Sequence, residues 1–159
     1  MAIAEVREHL GKFGLDELVL EFETSSATVE LAAQALGTEP ALIAKTLAFL
    51  DGDDGAVLIV TAGDARLHSG SFKRAFGFKP RMLPAELVEP LTGHPIGGVC
   101  PFANPPGTRV FLDESLKRFE TVFPAAGSPS SAVKLTLEQL QQASGAHAWV
   151  DVTKLPEPA

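Results

Sequence analysis

The chain of 159 residues has one cysteine, Cys100, so no internal disulfide framework can form and a reducing compartment is expected. No apolar run approaches the roughly 20 residues that a membrane-spanning helix needs. The N-terminal stretch MAIAEVREHLGKFG is charged and amphipathic and lacks the apolar core of a secretory signal. These absences lead to the expectation of a cytoplasmic protein without membrane attachment. Internal repeats and low-complexity tracts are missing too, and only the closing LPEPA reads as a frayed tail. The familiar catalytic signatures are absent: no GxSxG elbow, Walker loop, HExxH or GxGxxG occurs. His9, His68, His94 and His147 show no metal-ligand spacing, and one cysteine cannot build a thiolate zinc site. Neither a metal nor a cofactor is expected.

What is present is the balance of an ordinary globular chain, with 45% hydrophobic and 21% charged residues. The length suits one domain with a filled core, expected over residues 1–155 with a tail at 156–159. A net charge of −7 argues against nucleic acid as a partner. The distribution argues otherwise, because no acidic residue lies between Asp64 and Glu86, whereas Arg66, His68, Lys73, Arg74, Lys79 and Arg81 do. Acidic residues gather elsewhere, as in Glu17, Glu21 and Glu23, or in the turn with Asp51, Asp53 and Asp54. Screening confines each charge to a reach of about 10 Å, so a basic patch can serve phosphates on an acidic protein. A solvated helix face is the plainer alternative.

Periodicity and turn chemistry predict an amphipathic helix from about Ile3 to Phe13 and a half-buried strand from Leu18 to Glu23, with Leu18, Leu20 and Phe22 on one face. A helix capped by Ser25, Ser26 or Thr28 follows and stops at Gly37. ALIAKTLAFL and AVLIVTA read as a hairpin turned by DGDDG. Helices are predicted over Ser69–Phe76 and Pro84–Leu91, strands at IGGVC, RVFLD, ETVFP, AVKL and HAWVDV, and a short turn or helix at ESLKR. Thr136 and Gln139 have the spacing of a capping box for the helix TLEQLQQAS. Strands often follow one another directly, which excludes the regular alternation of a doubly wound sheet. The expected fold class is mixed α/β, with a strongly curved sheet and helices packed around it.

Three features bear on chemistry. Lys45 stands alone in the apolar run 41–50, on the strand face of Leu47 and Phe49. A buried ammonium is costly, so it must reach water, a carboxylate or an anionic ligand; snorkelling at a strand end is the alternative. In GHPIGGVCP, residues 93–101, Gly97-Gly98 allows close backbone approach and N–H groups aimed at a ligand, or else marks a sheet corner. The loop Gly127-Ser128-Pro129-Ser130-Ser131 offers hydroxyls and amides, though such turns are common. Cys100 lies near His94 in sequence, yet no local pattern pairs them as nucleophile and base, and packing is the simpler role.

Together AKTLAFL (44–50), VLIVTAGDARL (57–67), LTGHPIGGVCPFA (91–103) and AAGSPSSAVKLTLEQL (125–140) resemble the YbaK/ProX family of aminoacyl-tRNA editing domains, in order and spacing over nearly the whole chain. The resemblance implies a barrel-like mixed sheet and a pocket for the aminoacyl-adenosine end of tRNA. It also implies hydrolysis of the ester in mischarged species such as alanyl- or cysteinyl-tRNA(Pro). Lys45 aligns with the lysine on which the family depends, and Gly97 and Gly98 with the loop lining its pocket. By the same resemblance Phe22, Thr46, Ile96, Val99, Cys100, Gly127, Ser130 and Ser131 are the expected substrate contacts. Arg66, Lys73, Arg74, Lys79 and Arg81 are expected to face the acceptor arm, and a synthetase is a further candidate partner.

The family relies largely on the substrate's own 2′-hydroxyl or thiol, which fits a chain with no nucleophile–base pair of its own. Three positions depart from the family pattern. Ala132 stands where some relatives carry an aspartate, Cys100 where a smaller or apolar residue is common, and Phe22 where others have tyrosine. A non-catalytic module of the same fold, binding tRNA, an aminoacyl nucleotide or a synthetase surface, is the alternative that the missing aspartate and the overall acidity keep open.

Overall fold

The computed structural model describes residues 2–52 and 55–156. Among these described residues there are five α-helices: α1 (Ala2–Gly11), α2 (Val29–Leu36), α3 (Ser69–Phe76), α4 (Ala85–Thr92) and α5 (Leu137–Ser144). Ten strands accompany them: β1 (Val19–Glu21), β2 (Ile43–Asp51), β3 (Gly55–Ala62), β4 (Arg66–Leu67), β5 (Arg109–Asp113), β6 (Thr121–Pro124), β7 (Ser131–Val133), β8 (Leu135–Thr136), β9 (Ala148–Val150) and β10 (Thr153–Lys154). Six of them form one curled, half-barrel mixed sheet in the order β8-β6-β2-β3-β5-β9. The β2–β3 hairpin is its antiparallel centre, flanked by parallel pairings of β2 with β6 and of β3 with β5. Asp53 and Asp54, expected in the hairpin turn, lie outside the described residues, as do residues 157–159 of the expected tail.

Both faces of the sheet are covered, which explains why β3 reads as an unbroken apolar run. Phe49, Val57, Ile59 and Phe111 pack on one face against Phe72 of α3 and Val152. On the other face Ala44, Val60, Ala62 and Leu112 meet Val6 and Leu10 of α1 and Leu140 of α5. The Phe49 and Phe72 rings lie 5.0 Å apart, and Phe72 also touches Phe76 and Phe78, so aromatic packing fixes α3 to the sheet. The Thr136–Gln139 capping box forms with both of its hydrogen bonds.

Several predicted elements differ. Strand β1 is only three residues long and buries Val19, leaving Leu18 and Leu20 exposed. Its two-stranded pairing with β7 turns the opposite phase inward from the one predicted. IGGVC is not a strand: Pro95 to Gly98 forms a turn closed by Gly98 N–H donating to Pro95 O at 3.0 Å. Helix α1 ends at Gly11, short of Phe13.

Candidate active site

Strand β6 pairs with β2 only at Ile43 and Ala44 and then departs. Farther along, Leu50 N–H bonds to Arg81 O and Leu83 N–H to Ala48 O, so the polar groups of those β2 residues face away from β3. Strand alternation turns the backbone of Thr46 the same way, into the gap between β6 and residues 81–83. A cavity of about 210 Å³ opens at this gap. Its walls come from 26–29 and Ala32 of α2 and the loop before it, 43–46 of β2, Gly97 and Val99, Phe123 and Ala125, and Ser131 and Ala132. Five of these are alanines, and drug-sized ligand pockets run to about 300–1,000 Å³, so only a small group fits. Buried at this wall, the Thr46 hydroxyl has no hydrogen-bond partner among the described residues.

Lys45 lies between this cavity and a wider hollow of about 700 Å³ that includes Glu30, Asp64 and Arg66. Its ammonium donates to Gly63 O at 3.3 Å and to Ala65 O at 2.5 Å. An ammonium has three donors, so one stays uncommitted among the described residues. Burial pushes the Lys45 pKa below its ordinary value, while Asp64 and Glu30 oppose that shift and Arg66 adds to it. Asp64 itself is held below the usual carboxylate range by its hydrogen bonds to Arg118.

The structure gathers Lys45, Thr46, Gly97, Val99 and Ser131 around one cavity and leaves the other expected contacts off its wall. Gly98 packs behind it, and a Cβ there would fall 2.7 Å from the Ser128 backbone. With its N–H bound to Pro95 O, Gly98 has no amide to offer a ligand. Gly127 packs on α1, against Ala2 and Val6. Ser130 accepts from Phe22 N–H through its carbonyl, which ties those two residues to each other. Ile96 points to solvent at 63% exposure. The Ser131 hydroxyl is engaged with Ser128, accepting from its Oγ at 2.9 Å and donating to its carbonyl at 3.3 Å.

Cys100 is fully buried in the core. Its Sγ lies 3.4 Å from His94 Nε2, but that nitrogen serves Phe102 O at 2.7 Å, and a carbonyl can only accept, so Nε2 carries the proton. Burial pushes the thiol up to about 12 and the imidazole below its usual value. A thiolate nucleophile is therefore excluded by chemistry as well as by placement.

Arg66, Lys73, Arg74, Lys79 and Arg81 are all exposed, and none forms an ion pair among the described residues. Sequence reasoning missed the contribution of residues 26–29, whose Ser26 and Thr28 were read only as helix caps. Thr28 does cap α2, accepting from Leu31 N–H at 3.1 Å, and that places the helix start on the cavity.

The model of the aminoacyl-tRNA editing domain matches residues 23–143. The chain belongs to the aminoacyl-tRNA editing domain family. It is 48% identical over 154 residues to "Uncharacterized protein YwhH" of Bacillus subtilis (strain 168), covering 97% of this chain and 98% of that protein. It is 26% identical over 140 residues to "Putative Cys-tRNA(Pro)/Cys-tRNA(Cys) deacylase EbsC" of Enterococcus faecalis (strain ATCC 700802 / V583), covering 87% and 84%. Among solved structures, one described as "a putative trans-editing enzyme for prolyl tRNA synthetase" superposes with a TM-score of 0.85 at 34% identity, covering 96% of this chain and 97% of that one. In this editing-domain chain no described helix is long and apolar enough to cross a membrane.

Proposed function

We propose that this editing domain, spanning residues 1–155, is a cytoplasmic deacylase that hydrolyses the ester of mischarged aminoacyl-tRNA, with alanyl- or cysteinyl-tRNA(Pro) as the first candidates. The observation that carries the reading is Lys45: a half-buried ammonium, fixed by two carbonyls, with one donor uncommitted at the junction of a small cavity and a wider polar hollow. The small cavity suits an amino-acid side chain of few atoms, and the wider hollow suits the ribose and terminal phosphate. Lys45 lies where a cation can hold the phosphate or the ester oxygen and present the carbonyl to water.

The alanine-rich wall, Ala132 included, favours a small uncharged side chain, since no carboxylate among the described residues lines it to receive a cationic one. The orphaned Thr46 hydroxyl gives the bound aminoacyl group a polar partner. No residue acts as nucleophile; the substrate's 2′-hydroxyl, or a cysteinyl thiol, assists the attack. Positioning of this kind contributes up to about 7–11 kcal/mol in the best intramolecular cases, and an ester asks for less than an amide would. The exposed cations of the 66–81 segment give the acceptor arm its phosphate contacts, with a synthetase as a further partner. Incubating the protein with a panel of aminoacyl-tRNAs tests the reading. Hydrolysis of one or two members is expected, and tRNA binding without any turnover would leave a non-catalytic module of the same fold.

A further inference from the structure

The carbonyls that hold Lys45 belong to Gly63 and Ala65, on either side of Asp64, in the turn that leaves β3. That turn is clamped from the opposite side by the short helical turn Glu114–Arg118. Arg118 grips both carboxylate oxygens of Asp64, at 3.0 and 2.5 Å, and its Nε donates to Ser115 O at 3.0 Å. Ser115 Oγ accepts from Ala62 N–H at 3.0 Å, one residue before the turn. On the near side Gly63 is packed so closely on Pro40 that a Cβ would collide with the Pro40 carbonyl oxygen. The clamp is itself anchored, because buried Asp113 accepts from Ser115 N–H, Val152 N–H and Thr153 Oγ1.

We propose that Asp64 and Arg118 are positioning residues for the proposed deacylation: Arg118 holds the Asp64 carboxylate away from Lys45, so that the ammonium is oriented by the two carbonyls and keeps a donor for the substrate. A lysine beside an unengaged aspartate would form an ion pair with it and surrender that donor. With the carboxylate locked in a two-point grip, Asp64 acts on Lys45 as a nearby charge rather than as a direct partner. The groups facing the ammonium are Asp64, Glu30 and Arg66, and Arg118 reaches it only through Asp64. The proposal rests on the editing reading for its consequence in turnover, but the geometry of Lys45 is measurable without substrate.

The test titrates the Lys45 side chain by NMR in protein labelled with ¹³C-lysine, its signal assigned by its loss in Lys45→Ala. Asp64→Asn removes the anion and should lower the Lys45 pKa. Arg118→Gln releases the carboxylate toward the ammonium and should raise it, and Arg118→Lys should restore part of the wild-type value. In turnover, the alkaline limb of the pH–rate profile should move down in Asp64→Asn and up in Arg118→Gln, with a kcat loss on the order of tenfold in the latter. A merely structural clamp would lower thermal stability in both variants and move neither titration. That result, or shifts of the same sign, overturns the proposal. Opposite shifts with no deacylation by the wild type would uphold the Lys45 geometry and sink the editing reading instead. If Asp64→Asn fails to fold, Arg118→Gln decides alone: an unchanged Lys45 titration overturns the proposal.

Discussion

Replacing Gly98 with alanine adds one methyl group where the structure has no room for it. The new Cβ would stand 2.7 Å from Ser128 N and Cα and 2.8 Å from Ser128 C, where ordinary contact begins at 3.4 Å. The obstacle is backbone, so no rotamer change relieves it, and the turn at Ser128 must retreat by about 0.7 Å. Overpacking of this kind costs about 1–3 kcal/mol. For a domain of this length each kcal/mol lowers Tm by about 2–4 °C, so a fall of roughly 2–12 °C is expected in a circular-dichroism melt. The same retreat displaces Ser131 and Ala132, which line the cavity. A misplacement approaching 1 Å costs up to about 10²-fold in rate, and single-turnover deacylation should fall by roughly 10- to 100-fold. A Tm within about 1 °C of wild type together with unchanged turnover would refute the packing argument.

Four further outcomes follow from the same structure. Activity should decline as pH rises through the lowered Lys45 pKa, because the ammonium is the working form; a rate that rises through this range after correction for spontaneous ester hydrolysis would contradict that role. Cys100, its pKa near 12 and its side chain buried, should resist alkylation in the native protein and react once denaturant unfolds it, as mass spectrometry would show. Neutralising Lys73 or Arg74 should weaken tRNA binding and flatten its salt dependence by roughly one charge each, without lowering Tm. Phe72→Ala should cost about 3–5 kcal/mol in a denaturant melt, since that ring joins α3 to the sheet.

The sequence made the hairpin strands, the glycine stops of α2, α3, α4 and α5 and the capping box legible because each rests on local chemistry: alternation, glycine and Thr/Gln spacing. It misjudged the Leu18–Glu23 segment because alternation has two phases. Pairing with β7, more than 100 residues away, chose the phase that buries Val19. IGGVC looked like a strand by composition, yet a local Gly98–Pro95 hydrogen bond makes it a turn. Within the candidate site Lys45 was legible as a lone cation in an apolar run. Its companions were not, since the two carbonyls that hold it come from the turn that leaves the neighbouring strand β3. Asp64 and Arg118 are 54 residues apart, and no local spacing announces their pairing. Cys100 was close to His94 in sequence, and only the fold shows both turned into the core.

The role of Lys45 in deacylation is decided by a time course on alanyl- and cysteinyl-tRNA(Pro) at low salt, comparing wild type, Lys45→Ala and Lys45→Arg. Hydrolysis by wild type is expected, with none above background by Lys45→Ala, its melt unchanged, and little recovery by Lys45→Arg, whose planar fork cannot replace a compact ammonium. Near-wild-type turnover by Lys45→Ala would contradict that role.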